Sequence, residues 1–428
     1  MKLAINGGEK AVSIQPKEMW EPPYGEIVEL LKEQVYGNRI SGDWEKTYFK
    51  FEEEFKNYFG AKYCCALNMG TAALWAAFYA INLKPGDEVI VPSYTWVATI
   101  TPAIYMGAKP VFCELEEGKL VADPDDIEKR ITPKTKAITI VHLFGNVAHM
   151  DRIMEISRKH NIPVIEDCSH CHGAEWKGKK LGTIGNVGCF SMQGGFFDGK
   201  PVPAGEGGAV ITNDRSLYNK MLLYTHMNRP QNPADDLENT YEKYTGVRFG
   251  IKFRAHPMAL SIARVMLKSL DHRNELKAKY RQKMNNAFDS LKGISTIKEH
   301  ADSRSAGFYG GMQMLYEKEA FDGLPIDRFI KALEAEGVNM KYRMYEPMHL
   351  MPFFQEGFDL AGVGNSGIAA QNYAGTYKKG DLPVTEKIFD KLMGMPVYTE
   401  EPEGYSDQAI KAFEKVIANY GELIKTEA

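Results

Sequence analysis

Across roughly the first 265 residues, short apolar β-rich runs alternate with stretches of helical periodicity, and that alternation leaves few folds open. Strands are expected at 63–67, 88–91, 110–114, 137–141, 163–167, 187–191 and 208–212. Helices are expected between them at 71–81, 95–106, 124–131, 150–160 and 216–226. Strands that alternate with helices pair in parallel, because the chain crosses back over the sheet before the next strand begins. The strands read as nearly continuous apolar runs, as strands covered on both faces do. The expected fold class is α/β, a mostly parallel seven-stranded sheet with helices on both faces.

Past about residue 265 the texture changes. A long charged helix is expected at 270–292, followed by mixed α and β segments broken by Gly- and Pro-rich turns. A chain of 428 residues also exceeds what one simple core accommodates. The expectation is a large domain over 1–265 and a smaller C-terminal α+β domain over 266–428. Lys and Arg are scattered among Asp and Glu, the net charge is −4, and no basic run marks a nucleic-acid partner. The opening residues carry no apolar segment of the export type, and no segment approaches the roughly 20 apolar residues of a membrane span. A cytoplasmic protein with no membrane partner is expected. The six cysteines sit mostly in apolar, strand-like runs, where free cysteine behaves as a small hydrophobe and not as half of a disulfide.

In open α/β sheets, ligands bind beyond the carboxyl ends of the strands, so the residues just after each strand carry the functional information. After the first strand, Asn68-Met69-Gly70-Thr71 turns directly into an Ala-rich helix. Free N–H groups at a helix start favour a phosphate; Gly70 lets the backbone approach and Thr71 offers a hydroxyl. The same residues also suit an ordinary helix start with Thr71 as its cap. After the second strand, Trp96 either stacks on a planar ligand or joins the core. The fifth strand runs straight into Glu166-Asp167. A carboxylate there is costly unless a cation or metal pairs with it. A solvated strand end suits Glu166 and suits Asp167 less well; a protonated ring nitrogen is a fitting partner for the latter.

Cys168-Ser169-His170-Cys171-His172 matches the C-x-x-C-H pattern of covalent haem, but that chemistry needs export and the match lies within a βαβ pattern. Four zinc ligands within five residues cannot wrap one tetrahedral ion, so no metal site is expected; a redox CxxC is the remaining alternative. The most informative segment runs from Ser191 through Gln193 and Gly194-Gly195-Phe196-Phe197-Asp198-Gly199 to Lys200, then to Gly205-Glu206-Gly207-Gly208. A glycine-rich loop there presents one lysine between two strands. A partly desolvated lysine amine has a lowered pKa and attacks carbonyl carbons, although the commoner fate of a loop lysine is the surface.

Taken in order, these segments resemble the DegT/StrS-type sugar aminotransferases, a family of fold-type I pyridoxal-phosphate (PLP) enzymes. The resemblance spans nearly the whole chain. It runs from Ala4-Ile5-Asn6-Gly7-Gly8 through Val91-Pro92-Ser93-Tyr94-Thr95-Trp96 and Val141-His142-Leu143-Phe144-Gly145 to Leu382-Pro383-Val384-Thr385 and Met395-Pro396-Val397-Tyr398. Its strongest piece is Phe190-Ser191-Met192-Gln193 with Lys200 and Gly205-Glu206-Gly207-Gly208. It implies that Lys200 holds PLP covalently, that Asp167 sits against the pyridine nitrogen, and that Trp96 stacks on the ring. It implies that His170, where many relatives have glutamine, lies near the ring hydroxyl; histidine here resembles the branch of scyllo-inosose aminotransferases and aminohydroxybenzoate synthases. Gly70, Thr71 and Ser191 would hold the phosphate, with Gln193 in the same cofactor site. Lys252 would reach the phosphate from a partner subunit, which implies a homodimer with shared active sites.

One departure stands out: Lys200 follows Ser191 by nine positions, where the family usually has five, so Gly194–Gly199 resembles an insertion of about four residues. The activity implied is ping-pong transfer of an amino group from glutamate or glutamine to a keto sugar or keto cyclitol, with Lys200 as base and acid. The alternatives are a dehydratase or aromatising enzyme on the same fold, and a PLP-binding regulatory protein without catalysis. Some dehydratase relatives carry histidine where Lys200 stands. Substrate contacts are expected from loops at 228–244 and 346–364, with 230–240 as a lid.

Overall fold

The central sheet of the computed structural model, which describes residues 2–227, 229–230, 235–243, 250–356 and 377–424, has seven strands. They are β1 (Tyr63–Leu67), β2 (Glu88–Pro92), β3 (Lys109–Cys113), β4 (Thr135–Val141), β5 (Val164–Asp167), β6 (Val187–Ser191) and β7 (Gly208–Thr212). Their spatial order is β1-β7-β6-β5-β4-β2-β3. Neighbours are parallel from β3 across to β6, but β7 runs antiparallel to both β6 and β1. No helix stands between β6 and β7, so the chain returns as a hairpin instead of crossing over. The loop over 192–207 therefore sits at the same end of the sheet as the carboxyl ends of β1, β2, β4 and β5.

Both faces of the sheet are covered, and side chains alternate between them. Cys64 and Ala66 of β1 pack with Phe51, Phe55 and Phe59, whereas Cys65 and Leu67 pack with Ala73, Ala76 and Ala77 of the helix Gly70–Ala80. The single helix expected at 95–106 is instead two pieces, a 3-10 turn at Val97–Thr99 and a short helix at Thr101–Tyr105. Pro102 is the reason: it lacks an N–H and sits where a new helix begins.

A second, antiparallel sheet is built from β8 (Ile294–Thr296), β9 (Met312–Tyr316), β10 (Lys341–Tyr342) and β11 (Leu392–Met395), in the order β8-β9-β11-β10. The long helix Leu270–Phe288 and the helix Tyr405–Ala418 pack on it through Met284, Phe288 and Phe413. Leu3 and Val12 from the start of the chain belong to this second core. They are tied there by buried Glu336, which accepts the N–H of Ala4 at 2.8 Å and of Ala11 at 2.9 Å, and pairs with Lys415 at 2.8 Å. Among the described residues, no helix is long and apolar enough to cross a membrane.

Candidate active site

The site is built outward from the hairpin between β6 and β7. Met192 N–H donates to the Gly207 carbonyl at 2.8 Å, and Gly194 N–H to the Gly205 carbonyl at 2.8 Å, so the hairpin continues beyond the sheet. Beyond the Gly194–Gly205 pair, residues 195–199 are looped out. Lys200 N–H donates to the Gln193 carbonyl at 2.8 Å and Gly199 N–H to the Gly195 carbonyl at 3.0 Å. Gly194 has φ +103°, and a Cβ there would lie 2.4 Å from Gly199 Cα, so the base of the loop closes only on glycine. Phe196 anchors the excursion edge-on against Tyr24, with ring centroids 5.7 Å apart. The extra residues are thus excluded from the hairpin, and Lys200 returns beside Gln193.

A cleft of about 440 Å³ opens at this end of the sheet, and Gly70, Thr71, Trp96, Asp167, His170, Ser191, Gln193 and Lys200 all line it. The Lys200 amine lies 3.5 Å from the centroid of the Tyr309 ring. Burial lowers its pKa from 10.5 to about 7, with Asp167 pulling weakly the other way. A buried lysine with a depressed pKa is neutral above that value, so its nucleophilicity switches on as pH rises through about 7. In cofactor-free protein, competitive amine labelling read by mass spectrometry should therefore show Lys200 gaining reactivity around neutral pH. Exposed lysines should follow at about 10.4. A Lys200 profile that coincides with theirs would refute the desolvated amine.

Asp167 ends β5 with its carboxylate turned toward the cleft. Oδ2 accepts the Thr99 hydroxyl at 2.9 Å and Oδ1 accepts the Ser169 N–H at 3.1 Å, so the group is oriented from two sides. Glu166 corrects the sequence reading. It does not end in solvent but is fully buried on the other side of the sheet. Its oxygens accept N–H groups of Gly182 at 2.9 Å, Ile184 at 2.9 Å and Gly185 at 2.6 Å, with His142 Nε2 at 3.3 Å. The strand alternation that turns Asp167 toward the cleft turns its neighbour into a closed ring of donors.

The helix Gly70–Ala80 begins one residue earlier than expected. Its N-cap is Met69, and no side chain caps it, so Thr71 is not the cap. Its first N–H groups are left for the cleft. Gly70 presses on β6: a Cβ there would lie 2.6 Å from Ser191 Cβ. This apposition of an uncapped helix start and a serine fits a phosphate. With Lys200 and the oriented Asp167 carboxylate in the same cleft, the residues present fit PLP.

The remaining expectations divide. Trp96 is 55% exposed, with its ring centroid 5.7 Å from that of Tyr345. Lys252 is not on this cleft; it is exposed and lines a neighbouring one with Asn68 and Arg254, and Glu206 borders both. The residues 231–234 of the expected lid, and parts of the loops at 228–244 and 346–364, lie outside the described residues. Cys168 and Cys171 are buried and not joined in a disulfide, and burial raises both thiols, which works against the thiolate that redox exchange requires. Of the four ligands weighed for zinc, His170 and His172 each spend Nδ1 on a backbone N–H, from Phe144 and Val202. A larger, open cleft of about 810 Å³ lies around Glu116, His149 and Arg152, where Glu116 pairs with Lys119 and His300 and Arg152 with Asp125.

Thr99, Tyr309 and Tyr345 line the cleft and were not legible in the sequence. Only Thr99 had a local signal, Pro102, which breaks the expected helix and frees the preceding turn to face Asp167.

The fold and this cleft define a fold-type I α/β protein with a lysine and a strand-end carboxylate at the carboxyl edge of its sheet. The model of the DegT/DnrJ/EryC1/StrS aminotransferase family matches residues 26–414. The chain belongs to that family. It is 32% identical over 439 residues to an L-glutamine:2-deoxy-scyllo-inosose aminotransferase of Streptoalloteichus tenebrarius, covering 98% of this chain and 99% of that one. A protein of the same name from Micromonospora echinospora is 30% identical over 437 residues, with 98% and 99% covered. Among solved structures, an aminotransferase from Psychrobacter cryohalolentis superposes with a TM-score of 0.79 at 27% identity, over 94% of this chain and 98% of that one. The fold is also that of the E. coli GDP-4-keto-6-deoxy-D-mannose-3-dehydratase solved with bound hydrated PLP, with a TM-score of 0.75 at 20% identity, over 95% and 100%.

Proposed function

We propose that the protein transfers an amino group from glutamine or glutamate to a keto sugar or keto cyclitol, with PLP held on Lys200. The observation that carries this reading is a buried lysine amine in one cleft with an oriented, buried carboxylate. Bound PLP supplies an electrophilic carbon for amines and a ring that takes up carbanion charge. The protein's part is positioning and proton control. The uncapped helix start at Gly70 and the Ser191 hydroxyl bind the phosphate. Asp167, oriented by Thr99 and Ser169, keeps a proton on the ring nitrogen. Freed when the donor's amine takes its place, the Lys200 amine would carry a proton from the donor's nitrogen-bearing carbon to the cofactor carbon bonded to that nitrogen, and the reverse with the keto acceptor, as base and then acid. Glutamine as donor and a cyclitol as acceptor are favoured by the names of the relatives.

The same reading takes the protein as a homodimer in which Lys252 reaches the partner's phosphate. In its favour, Lys252 is exposed on a cleft that adjoins the cofactor cleft only through Glu206. A sedimentation mass of one chain would refute it.

Borohydride treatment of PLP-loaded protein should leave a pyridoxyl label on Lys200, found by peptide mapping. In untreated PLP-loaded protein, initial rates with glutamine and a keto cyclitol should give parallel double-reciprocal lines. A label on another lysine overturns the anchor. Loss of water without gain of nitrogen replaces amino transfer with the dehydratase reading. Tight PLP with neither reaction leaves a binding protein.

A further inference from the structure

We infer that Ser93, His349 and Glu386 form a buried positioning relay that pins the turn carrying Trp96 and Thr99 to the helix Pro383–Lys391, and that this pin holds the Asp167 carboxylate in place. The inference rests on the reading above only where Asp167 is taken to meet a ring nitrogen.

The relay starts where β2 ends. Ser93 follows Pro92 directly and has no exposed surface. Its carbonyl accepts the Met348 N–H at 2.8 Å, and its Oγ accepts the His349 backbone N–H at 3.1 Å. The same Oγ lies 2.7 Å from His349 Nδ1, and on the other side of the ring Nε2 lies 3.0 Å from Glu386 Oε1. His349 is fully buried and Glu386 nearly so. Burial works to raise the Glu386 carboxyl, but the bonds from His349 and the Gly380 N–H outweigh it and hold the group below its usual range. A carboxylate can only accept, so Nε2 carries the ring proton, Nδ1 offers a lone pair, and the Ser93 hydroxyl donates to it. Every donor in the relay then meets an acceptor.

Serine, imidazole and carboxylate in this order are also the parts of a nucleophilic triad. Here no face of the serine is open to a substrate, and its oxygen is spent on a backbone N–H. The relay transmits position and not protons.

Both ends are anchored. The helix that carries Glu386 is seated on the central sheet by Glu114, just past β3, which accepts the Val384 N–H at 3.1 Å, the Thr385 N–H at 2.8 Å and the Thr385 hydroxyl at 2.6 Å. From Ser93 the chain leads into the cleft: the Thr95 and Thr99 hydroxyl oxygens are 3.3 Å apart, and Thr99 donates to Asp167 Oδ2 at 2.9 Å. From His349 it leads back to Tyr345. The Tyr345 ring lies 5.7 Å from Trp96, and its hydroxyl oxygen lies 3.4 Å from His170 Nε2, while His170 Nδ1 takes the Phe144 N–H. Two walls of the cleft, far apart in the chain, thus meet at one buried serine. Alanine at 93 removes the donor to Nδ1 and the acceptor of the His349 N–H together, and leaves both buried groups unpaired.

The test begins on cofactor-free protein labelled with fluorotryptophan. The Trp96 fluorine resonance, assigned by its loss in W96F, should shift in S93A and in E386L. It should stay in place in E386Q, whose amide oxygen still accepts from Nε2. Should S93A not fold, the two Glu386 variants decide alone. A Trp96 resonance that stays put while melting falls marks a merely stabilising bond and overturns the proposal, as does a proton on His349 Nδ1 in ring-nitrogen NMR. In protein loaded with PLP labelled at its ring nitrogen, the pH at which that nitrogen loses its proton should fall in S93A and E386L by about one pH unit or more, the worth of a hydrogen bond to a charged group, and hold in E386Q. Equal values in all of them overturn the hold on Asp167. If PLP does not bind the unaltered protein, the functional reading fails, while the fluorine result still decides the relay.

Discussion

Lys200→Ala should leave the protein folded and lower amino transfer by roughly 10²–10⁴-fold or more, the range lost when a positioned acid–base group is removed. The fold should survive because the hairpin is held by backbone bonds: Lys200 N–H to the Gln193 carbonyl, Gly194 to Gly205, and Met192 to Gly207. None of them needs the amine. On the support side, Val202 N–H donates to His172 Nδ1 at 3.2 Å, two residues past the lysine, which fixes where the side chain starts. What disappears is a neutral amine in a desolvated cleft beside Tyr309, and water is a poor substitute there. Borohydride should then fix no pyridoxyl group at position 200, and a small primary amine added to the variant should restore part of the rate. A variant within tenfold of the unaltered rate would mean that another group moves the proton.

Glu166→Leu should be the most damaging single change in the sheet, at a cost of about 3–5 kcal/mol, the cost of breaking a buried charged arrangement by deleting one partner. The carboxylate gathers three backbone N–H groups from the Gly182–Gly185 turn together with His142 Nε2. Leucine matches the volume but leaves those donors buried without acceptors. Glu166→Gln should cost less, since its carbonyl oxygen still accepts while its amide nitrogen meets donors. Calorimetry should show melting lowered by several degrees or more for Leu, and by less for Gln. A leucine variant that melts with the unaltered protein would show that the turn finds other acceptors. Because the same strand turns Asp167 toward the cleft, the leucine variant should also weaken PLP binding.

These two residues mark where sequence reasoning reached and where it stopped. The insertion before Lys200 put its placement in question; the spacing from Lys200 to Gly205 argued for keeping it, but did not show how the extra residues are accommodated. The answer is a bond between the backbones of Gln193 and Lys200 that excises the five residues 195–199 from the hairpin, with glycines at its base because side chains would collide. Glu166 was misread because two adjacent carboxylates at a strand end look alike in sequence. Their separate fates follow from the pleat, and from a turn at 182–185 that the sequence does not connect to them. Lys252 stands outside the cleft of its own chain, so its expected role rests on a second subunit.

Alone, the sequence determined the strands, most of the helices between them and the edge of the sheet where chemistry belongs. Those features follow from local periodicity and turn residues, which act over a few positions. The resemblance carried by its motifs pointed to most of one wall of the cleft, where Gly70, Trp96, Asp167 and Ser191 each follow or close a strand. Only the tertiary structure decided the antiparallel return of β7, the burial of Glu166, the pairing of Thr99 with Asp167, and the clamp of Phe144 and Tyr345 on His170. Those contacts join residues from 16 to 175 positions apart, and their proximity is set by strand order and by the seam between two cores, not by any neighbour in the chain.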